Sequence, residues 1–293
     1  MKTNTQAGIW LMILAVTIFA AQDGFSRHLA ETYNVLMVVM IRYWGFAAFV
    51  VVWALRQPGG LRSVTTTQPV LHLARACLLI AEVCVIIWGY TLIGLIESHA
   101  VFAVCPLLVA AMSGPILGER LGWGGWAAIV AGMVGVIVIL QPGTGVFSPA
   151  ALLPLAAASM FALYSVLTRM ASRRDTSFTS LFWSGAIGAV LMTGVGLPRW
   201  EPMTGLDWVM MGIYALLALL GNYVLIKCYE MAEASVVQPF AYLQIVLVSI
   251  IGVLVYHERL EPHVFIGATI VIAAGLVTLM TTHRSKAVAP DTP

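Results

Sequence analysis

Apolar residues run through this chain about 20 at a time, and they do so ten times. The runs read as Ala7–Phe25, Val35–Leu55, Val70–Thr91, Ser98–Leu117, Trp123–Leu140, Ala150–Met170, Ser177–Leu197, Trp208–Cys228, Ser235–Tyr256 and Val264–Thr282. A helix rises 1.5 Å per residue, so about 20 residues cross a hydrocarbon core of about 30 Å. In lipid every backbone polar group must find its partner inside the protein, which restricts spanning segments to helices and closed barrels. These runs are about twice the length of a barrel strand and lack its alternation. The pattern predicts an all-α, polytopic membrane protein with about ten transmembrane helices. Gln57-Pro58-Gly59-Gly60, Gln141-Pro142-Gly143 and Gly196-Leu197-Pro198 mark turns between them.

Composition removes the soluble alternative. The chain is 60% hydrophobic and 10% charged, against about 25% charged for a soluble domain. In water it would expose large apolar patches that aggregate. The net charge of +2 is small, and its Lys and Arg are too scattered to suggest a nucleic-acid partner. Polar residues 1–6 precede the first run as they would in a signal peptide. That run continues towards Phe25 without a small-residue cleavage site, so it reads as a retained first span. Cys77, Cys84, Cys105 and Cys228 lie in apolar runs with no CxxC spacing, which reads as packed thiols and no metal site.

With the amino terminus placed in the cytoplasm, ten spans return the carboxyl terminus there. Eleven of the 15 Lys and Arg residues then lie on the cytoplasmic side, Arg62, Arg75, Arg173 and Arg174 among them. Only Arg27, Arg42, Arg199 and Arg259 lie opposite. The positive-inside rule therefore puts both ends inside.

The sequence also resembles itself. Glu119-Arg120-Leu121 recurs 139 residues on as Glu258-Arg259-Leu260. Ala15, Phe19, Ala20 and Arg27 match Ala157, Phe161, Ala162 and Arg169 at a spacing of 142, and Gly45 matches Gly185 at 140. Each half holds five helices, an odd number, so the second half must be inverted. Inverted repeats are the physical basis of alternating access around a midplane site. The expected organisation is residues 1–145 as one repeat, 146–284 as the second, and 285–293 as a disordered cytoplasmic tail.

This pattern resembles the EamA-type transporters of the drug/metabolite transporter superfamily over nearly the whole chain. Its most specific part is Gly118-Glu119-Arg120-Leu121 with its partner His257-Glu258-Arg259-Leu260, joined by Ala241-Tyr242-Leu243-Gln244 in the ninth helix. The family often continues that last motif with proline. This chain has Ile245 there, while the first repeat keeps Pro106, so a kink in the ninth helix is expected to be weak or absent. The richness in aromatic residues resembles bacterial inner-membrane exporters of amino acids and related metabolites. The resemblance implies a secondary or facilitated carrier. A carrier of another solute class (a cationic drug or a nucleotide sugar), a channel and a membrane-embedded enzyme remain as alternatives. No Walker A, HExxH or GxSxG sequence is present, so neither ATP hydrolysis nor enzymatic activity is expected, and no cofactor is implied.

A charge inside a span costs about 2.5–3.5 kcal/mol, so each is a candidate for function. Glu82 sits mid-way along the third helix, with Arg75 two turns earlier on the same face. Asp23 is assigned to a local ion pair with Arg27 or Arg42. Lys227 is expected to snorkel beside Glu230, and Glu119 and Glu258 to cap helices at their turns. The repeat offset pairs Gln22 with Tyr164, Val83 with Asn222, His99 with Gln238 and Ala103 with Tyr242. Glu82, His99, Tyr164, Asn222, Gln238 and Tyr242 are therefore the expected lining of a central cavity for a small, amphipathic or zwitterionic solute. Interhelical hydrogen bonding explains the same residues equally well. Gln238, Tyr242, Ile245 and Ser249 are expected to form one stripe of its wall. The spacings Ala128–Gly132 and Ala131–Gly135 read as contacts within the chain, so a monomer is expected, with a dimer as the alternative.

Overall fold

The computed structural model describes residues 5–118, 123–140, 149–232 and 234–287, and among these it is helical with no strand. The helices are α1 Thr5–Thr32, α2 Val35–Arg56, α3 Pro69–Ile93, α4 Leu95–Phe102, α5 Cys105–Leu117 and α6 Trp123–Leu140 in the first half. The second half holds α7 Leu152–Ala171, α8 Ser177–Gly196, α9 Gly205–Met231, α10 Ala234–Val237, α11 Leu243–Tyr256 and α12 Pro262–Ala287. Seven continuous stretches are long and apolar enough to cross a membrane, with α4 and α5 counting as one. Shorter apolar helices at Ile129–Leu140, Phe240–Tyr256 and Pro262–Ala274 supply the other three. The protein is thus a ten-span, all-α membrane protein.

Local chemistry sets several helix starts. Asn34 accepts from the Leu36 amide at 3.0 Å, Thr176 from that of Thr179 at 3.2 Å and Thr204 from that of Asp207 at 3.3 Å, each satisfying an orphan donor of the first turn.

Packing displays the repeat. The offset carries α1 to α7 and α3 to α9, and α1 packs on α9 just as α7 packs on α3. In the same way α1 meets α11 as α7 meets α5, while α2 pairs with α8 and α6 with α12 across the halves. The α6–α12 seam depends on glycine: a Cβ on Gly267 would lie 2.6 Å from the Gly135 carbonyl oxygen. The glycines of the small-residue spacings therefore make contacts within the chain, Gly135 against Gly267 and Gly132 against Leu107 and Ala274.

Two spans are broken at symmetric places. The fourth turns at Ala103 and Val104 between α4 and α5, just before Pro106. The ninth passes from α10 through a 3-10 segment, Gln238–Tyr242, before α11 begins at Leu243. Subtracting the 139-residue offset from Tyr242 and Leu243 gives Ala103 and Val104. The kink expected to be weak or absent is therefore present, with Pro239 near its start in place of a proline at 245. Proline supplies no N–H to the helix ladder and loosens the turn before it. The last helix passes the boundary read at residue 284, and residues 288–293 of the tail lie outside the described residues.

Candidate functional site

Two adjoining narrow chambers, with cavity volumes of about 50 and 40 Å³, lie between the halves. Phe19, His99, Phe102, Phe161 and Gln244 face both chambers and form the seam between them. Gln22, Asp23 and Ser26 of α1 line the first, whereas Met12 and Val16, two to three turns nearer the start of the same helix, line the second. One helix face thus gives a polar chamber at one depth and an apolar one at another.

In the polar chamber Asp23 is partnered through one oxygen. Its Oδ2 accepts from Gln244 Nε2 at 3.0 Å and lies 3.1 Å from His99 Nε2, which is itself 2.9 Å from Tyr90 Oη. Glu82 differs: although 6% exposed and lining the same chamber, it makes no hydrogen bond or ion pair among the described residues. Arg42 is 2% exposed, and its Nη1 donates to Tyr214 Oη at 3.3 Å. Its guanidinium lies 5.5 Å from the ring centres of both Tyr43 and Tyr214, and its Nε has no partner. Asn222 Nδ2 donates to the Ala218 carbonyl at 2.8 Å, leaving Oδ1 unpartnered, as is Gln22 Oε1.

The apolar chamber is walled by Leu225, Tyr229, Gln238, Tyr242 and Ile245. Gln238 Nε2 donates to Tyr229 Oη at 2.8 Å, and Tyr242 Oη has no partner. Five of the six residues expected at the cavity therefore lie on it: Glu82 and Asn222 in the first chamber, Gln238 and Tyr242 in the second, His99 in both. Tyr164 does not. It is fully buried outside both chambers, with the Arg75 guanidinium 5.3 Å over its ring. The offset matched its depth to Gln22 but not the way it points. Ser249, the last residue of the expected stripe, lies beyond the chamber and lines an apolar groove with residues of α4, α11 and α12. Ile245, one turn before it on the same helix face, lines both that groove and the second chamber.

Arg75 anchors a separate buried network. Its Nε donates to Thr168 Oγ1 at 2.9 Å and its Nη1 to His72 Nδ1 at 3.0 Å. Arginine only donates, so Nδ1 accepts and the Nε2 proton of His72 points to Asp175 Oδ2, 2.9 Å away. Thr66 and Gln68 donate to the same oxygen at 2.8 and 2.9 Å. Burial pushes the Asp175 carboxyl up, but the hydrogen bonds from His72, Thr66 and Gln68 outweigh it and hold the group below its usual range.

The Asp23 ion pair expected from sequence is absent among the described residues. Arg27 lies a turn further along α1, where it pairs instead with Glu31 at 2.8 Å and with Glu258. Arg42, counted as an interfacial charge, is a buried cavity residue. The rule that singles out Glu82 as an ionisable group within a span applies equally to Arg42. Gln244 and the three seam phenylalanines were likewise missed. Lys227 pairs with Glu230 at 3.0 Å, as its snorkelling position suggested. The Glu119-Arg120-Leu121 turn lies outside the described residues. No group of three metal-ligating side chains gathers among the described residues.

Comparison with known proteins follows this geometry. The profile of the EamA-like transporter family matches residues 6–141 and 148–280. The chain is similar to the S-adenosylmethionine uptake transporter of Rickettsia felis, 24% identical over 95% of this chain and 94% of that one. It is 26% identical to the riboflavin transporter of Vibrio cholerae over 96% and 95%. With the pseudopaline exporter CntI of Pseudomonas aeruginosa it shares 21% over 92% and 94%. One solved crystal structure superposes with a TM-score of 0.66 at 18% identity, covering 96% of this chain and 98% of that one, which shows a common fold.

Proposed function

The chain belongs to the EamA-like transporter family of the drug/metabolite transporter superfamily, and from that premise we propose that it is a secondary or facilitated carrier exporting amino acids or related small metabolites. The single observation that carries this reading is the two-chambered cavity between inverted halves, polar at one depth and aromatic at the other. Residues 1–145 and 146–284 rock against each other, exposing the cavity to one side at a time. Glu82, His99, Asn222, Gln238 and Tyr242 touch the solute, and Tyr164 supports the wall from behind. The membrane is the bacterial inner membrane, with both termini in the cytoplasm, supported by the eleven-to-four distribution of basic residues and by bacterial relatives. The protein works as a monomer.

Reconstitution in liposomes tests this. Labelled amino acids, S-adenosylmethionine and riboflavin are offered with and without an imposed pH gradient. Saturable flux of an amino acid supports the proposal; flux that never saturates makes the protein a channel. Uptake of S-adenosylmethionine or riboflavin is the second reading, favoured by what the relatives carry. Loading expressing cells with labelled solute, or presenting it outside, separates the two directions.

A further inference from the structure

Arg42, a basic side chain, and Glu82, an acidic one, line the same chamber and do not pair. Arg42 belongs to α2 and Glu82 to α3, both of the first half, and Asn222 of α9 in the second half faces them across the chamber. A guanidinium at 2% exposure with an unpartnered Nε, and a carboxyl at 6% exposure with no hydrogen bond, are both unfavourable as they stand. Asp23, in the same chamber, shows how this fold satisfies a buried carboxylate when no ligand is involved: Gln244 and His99 close on it at 3.0 and 3.1 Å.

We propose that Arg42 and Glu82 are the two poles of a receptor for a zwitterion, Arg42 taking a carboxylate and Glu82 the ammonium group on the same carbon. This rests on the amino-acid reading above and adds which atoms of the substrate are recognised, and by what. Arginine presents a planar fork that matches a carboxylate, whereas a buried carboxylate offers only acceptors and so takes an ammonium donor. The side chain of the same molecule then points across the seam formed by Phe19, Phe102 and Phe161 into the apolar chamber towards Tyr242. That chamber holds only about 40 Å³ as it stands, so its walls part as an apolar or aromatic side chain enters, which removes apolar surface from water and stacks rings. A short polar amino acid satisfies the poles but leaves the second chamber empty.

Equilibrium binding to the purified full-length protein in lipid nanodiscs tests the assignment with three probes. L-Phenylalanine carries both poles, phenethylamine lacks the carboxylate, and 3-phenylpropionate lacks the ammonium. Wild-type protein is expected to bind L-phenylalanine about tenfold or more tighter than either, the equivalent of one charge-assisted contact. Arg42→Gln should bring L-phenylalanine down to the affinity of phenethylamine and leave phenethylamine unchanged. Glu82→Gln should lower L-phenylalanine and phenethylamine together and spare 3-phenylpropionate. The wild-type comparison needs no variant, so it decides the matter even where Arg42→Gln fails to fold. Phenethylamine bound as tightly as L-phenylalanine overturns the role of Arg42, and 3-phenylpropionate bound as tightly overturns that of Glu82. Wild-type protein that binds none of the three removes the amino-acid reading itself.

Discussion

Glu258, in the turn after α11, closes the amino terminus of α4: its two carboxylate oxygens accept from the backbone amides of Leu95 and Ile96 at 2.6 and 2.7 Å. The same carboxylate pairs with Arg27 of α1, so a residue of the second half fixes two helices of the first. Gly94, at φ 87°, makes the approach possible, since a Cβ there would lie 2.8 Å from Glu258 Oε1. Glu258→Ala strands two amide donors and should cost about 1–2 kcal/mol. The expected outcome is an unfolding temperature lowered by several degrees, with solute affinity of the surviving protein unchanged. A tenfold loss of affinity in protein of normal stability would instead put Glu258 in contact with the solute.

A second prediction separates glycines that are required from those that are not. Gly267→Ala drives a methyl group to 2.6 Å from the Gly135 carbonyl and close to Ile139, so α6 and α12 must part. It should destabilise by more than about 1 kcal/mol, as overpacking typically does. Gly212 of α9 and Gly194 of α8 have nothing within 4 Å of such a methyl. Alanine at either should be neutral or stabilise by about 0.4–1 kcal/mol through the unfolded chain. Thermal unfolding of the three variants side by side checks this. Equal stability at 212 and 267 would mean that the α6–α12 seam is not close-packed.

The spans and the repeat were legible because both rest on features that sequence carries directly, length in lipid and a constant offset. Glu82 followed from its charge inside a span, and His99, Asn222, Gln238 and Tyr242 from that offset, which matches depth along the membrane. It does not fix rotation about a helix, and that is why Tyr164, at the right depth, faces Arg75 instead. Arg42 was missed for a related reason: distance along the chain put it near a helix end, while burial by Tyr43 and Tyr214 comes only from packing. The kink in the ninth span escaped because the proline sought at residue 245 stands earlier, at Pro239. Ser249, a turn past Ile245, lies beyond the chamber end and faces an apolar groove instead. Asp23 was given an arginine partner four residues away, yet its partners come from α4 and α11, more than 70 residues distant.

Asp175 gives a prediction about pH. Hydrogen bonds from His72, Thr66 and Gln68 hold its carboxyl below the usual range of about 3.9. A depressed folded value means that the group stabilises the fold at pH above its unfolded value and loses that contribution as pH falls through the folded one. Asp175→Asn should therefore be less stable than wild type by about 1–3 kcal/mol at neutral pH, from loss of hydrogen bonds to a charged group. The gap should hold down to about pH 5 and close below about pH 4. Unfolding curves across pH 3–8 provide the check, and a gap that widens in acid would mean that the sign is wrong.

The cavity itself yields the last prediction, which separates residues that face the chambers from one that supports them. Asn222 gives one amide N–H to the Ala218 carbonyl, which leaves its unpartnered Oδ1 to offer a solute. Asn222→Ala removes one hydrogen bond, worth about 1 kcal/mol, and should weaken solute affinity about fivefold. Tyr242→Ala takes away a ring and an unpartnered hydroxyl from the apolar chamber, so it should weaken affinity at least as much. Tyr164→Phe keeps the ring that lies 5.3 Å from the Arg75 guanidinium and should leave affinity unchanged. Tyr164→Ala deletes a fully buried ring and should cost about 3–5 kcal/mol of stability, the usual range for an aromatic core residue. Trp126, 47% exposed on α6, serves as the remote control: alanine there should change stability more than transport. Concentration-dependent flux and thermal unfolding, measured on each variant, check the set. Normal affinity in both Asn222→Ala and Tyr242→Ala, with saturable wild-type flux, would place the solute elsewhere and leave these polar groups as helix packing. Loss of affinity in stable Tyr164→Phe would return that residue to the cavity wall.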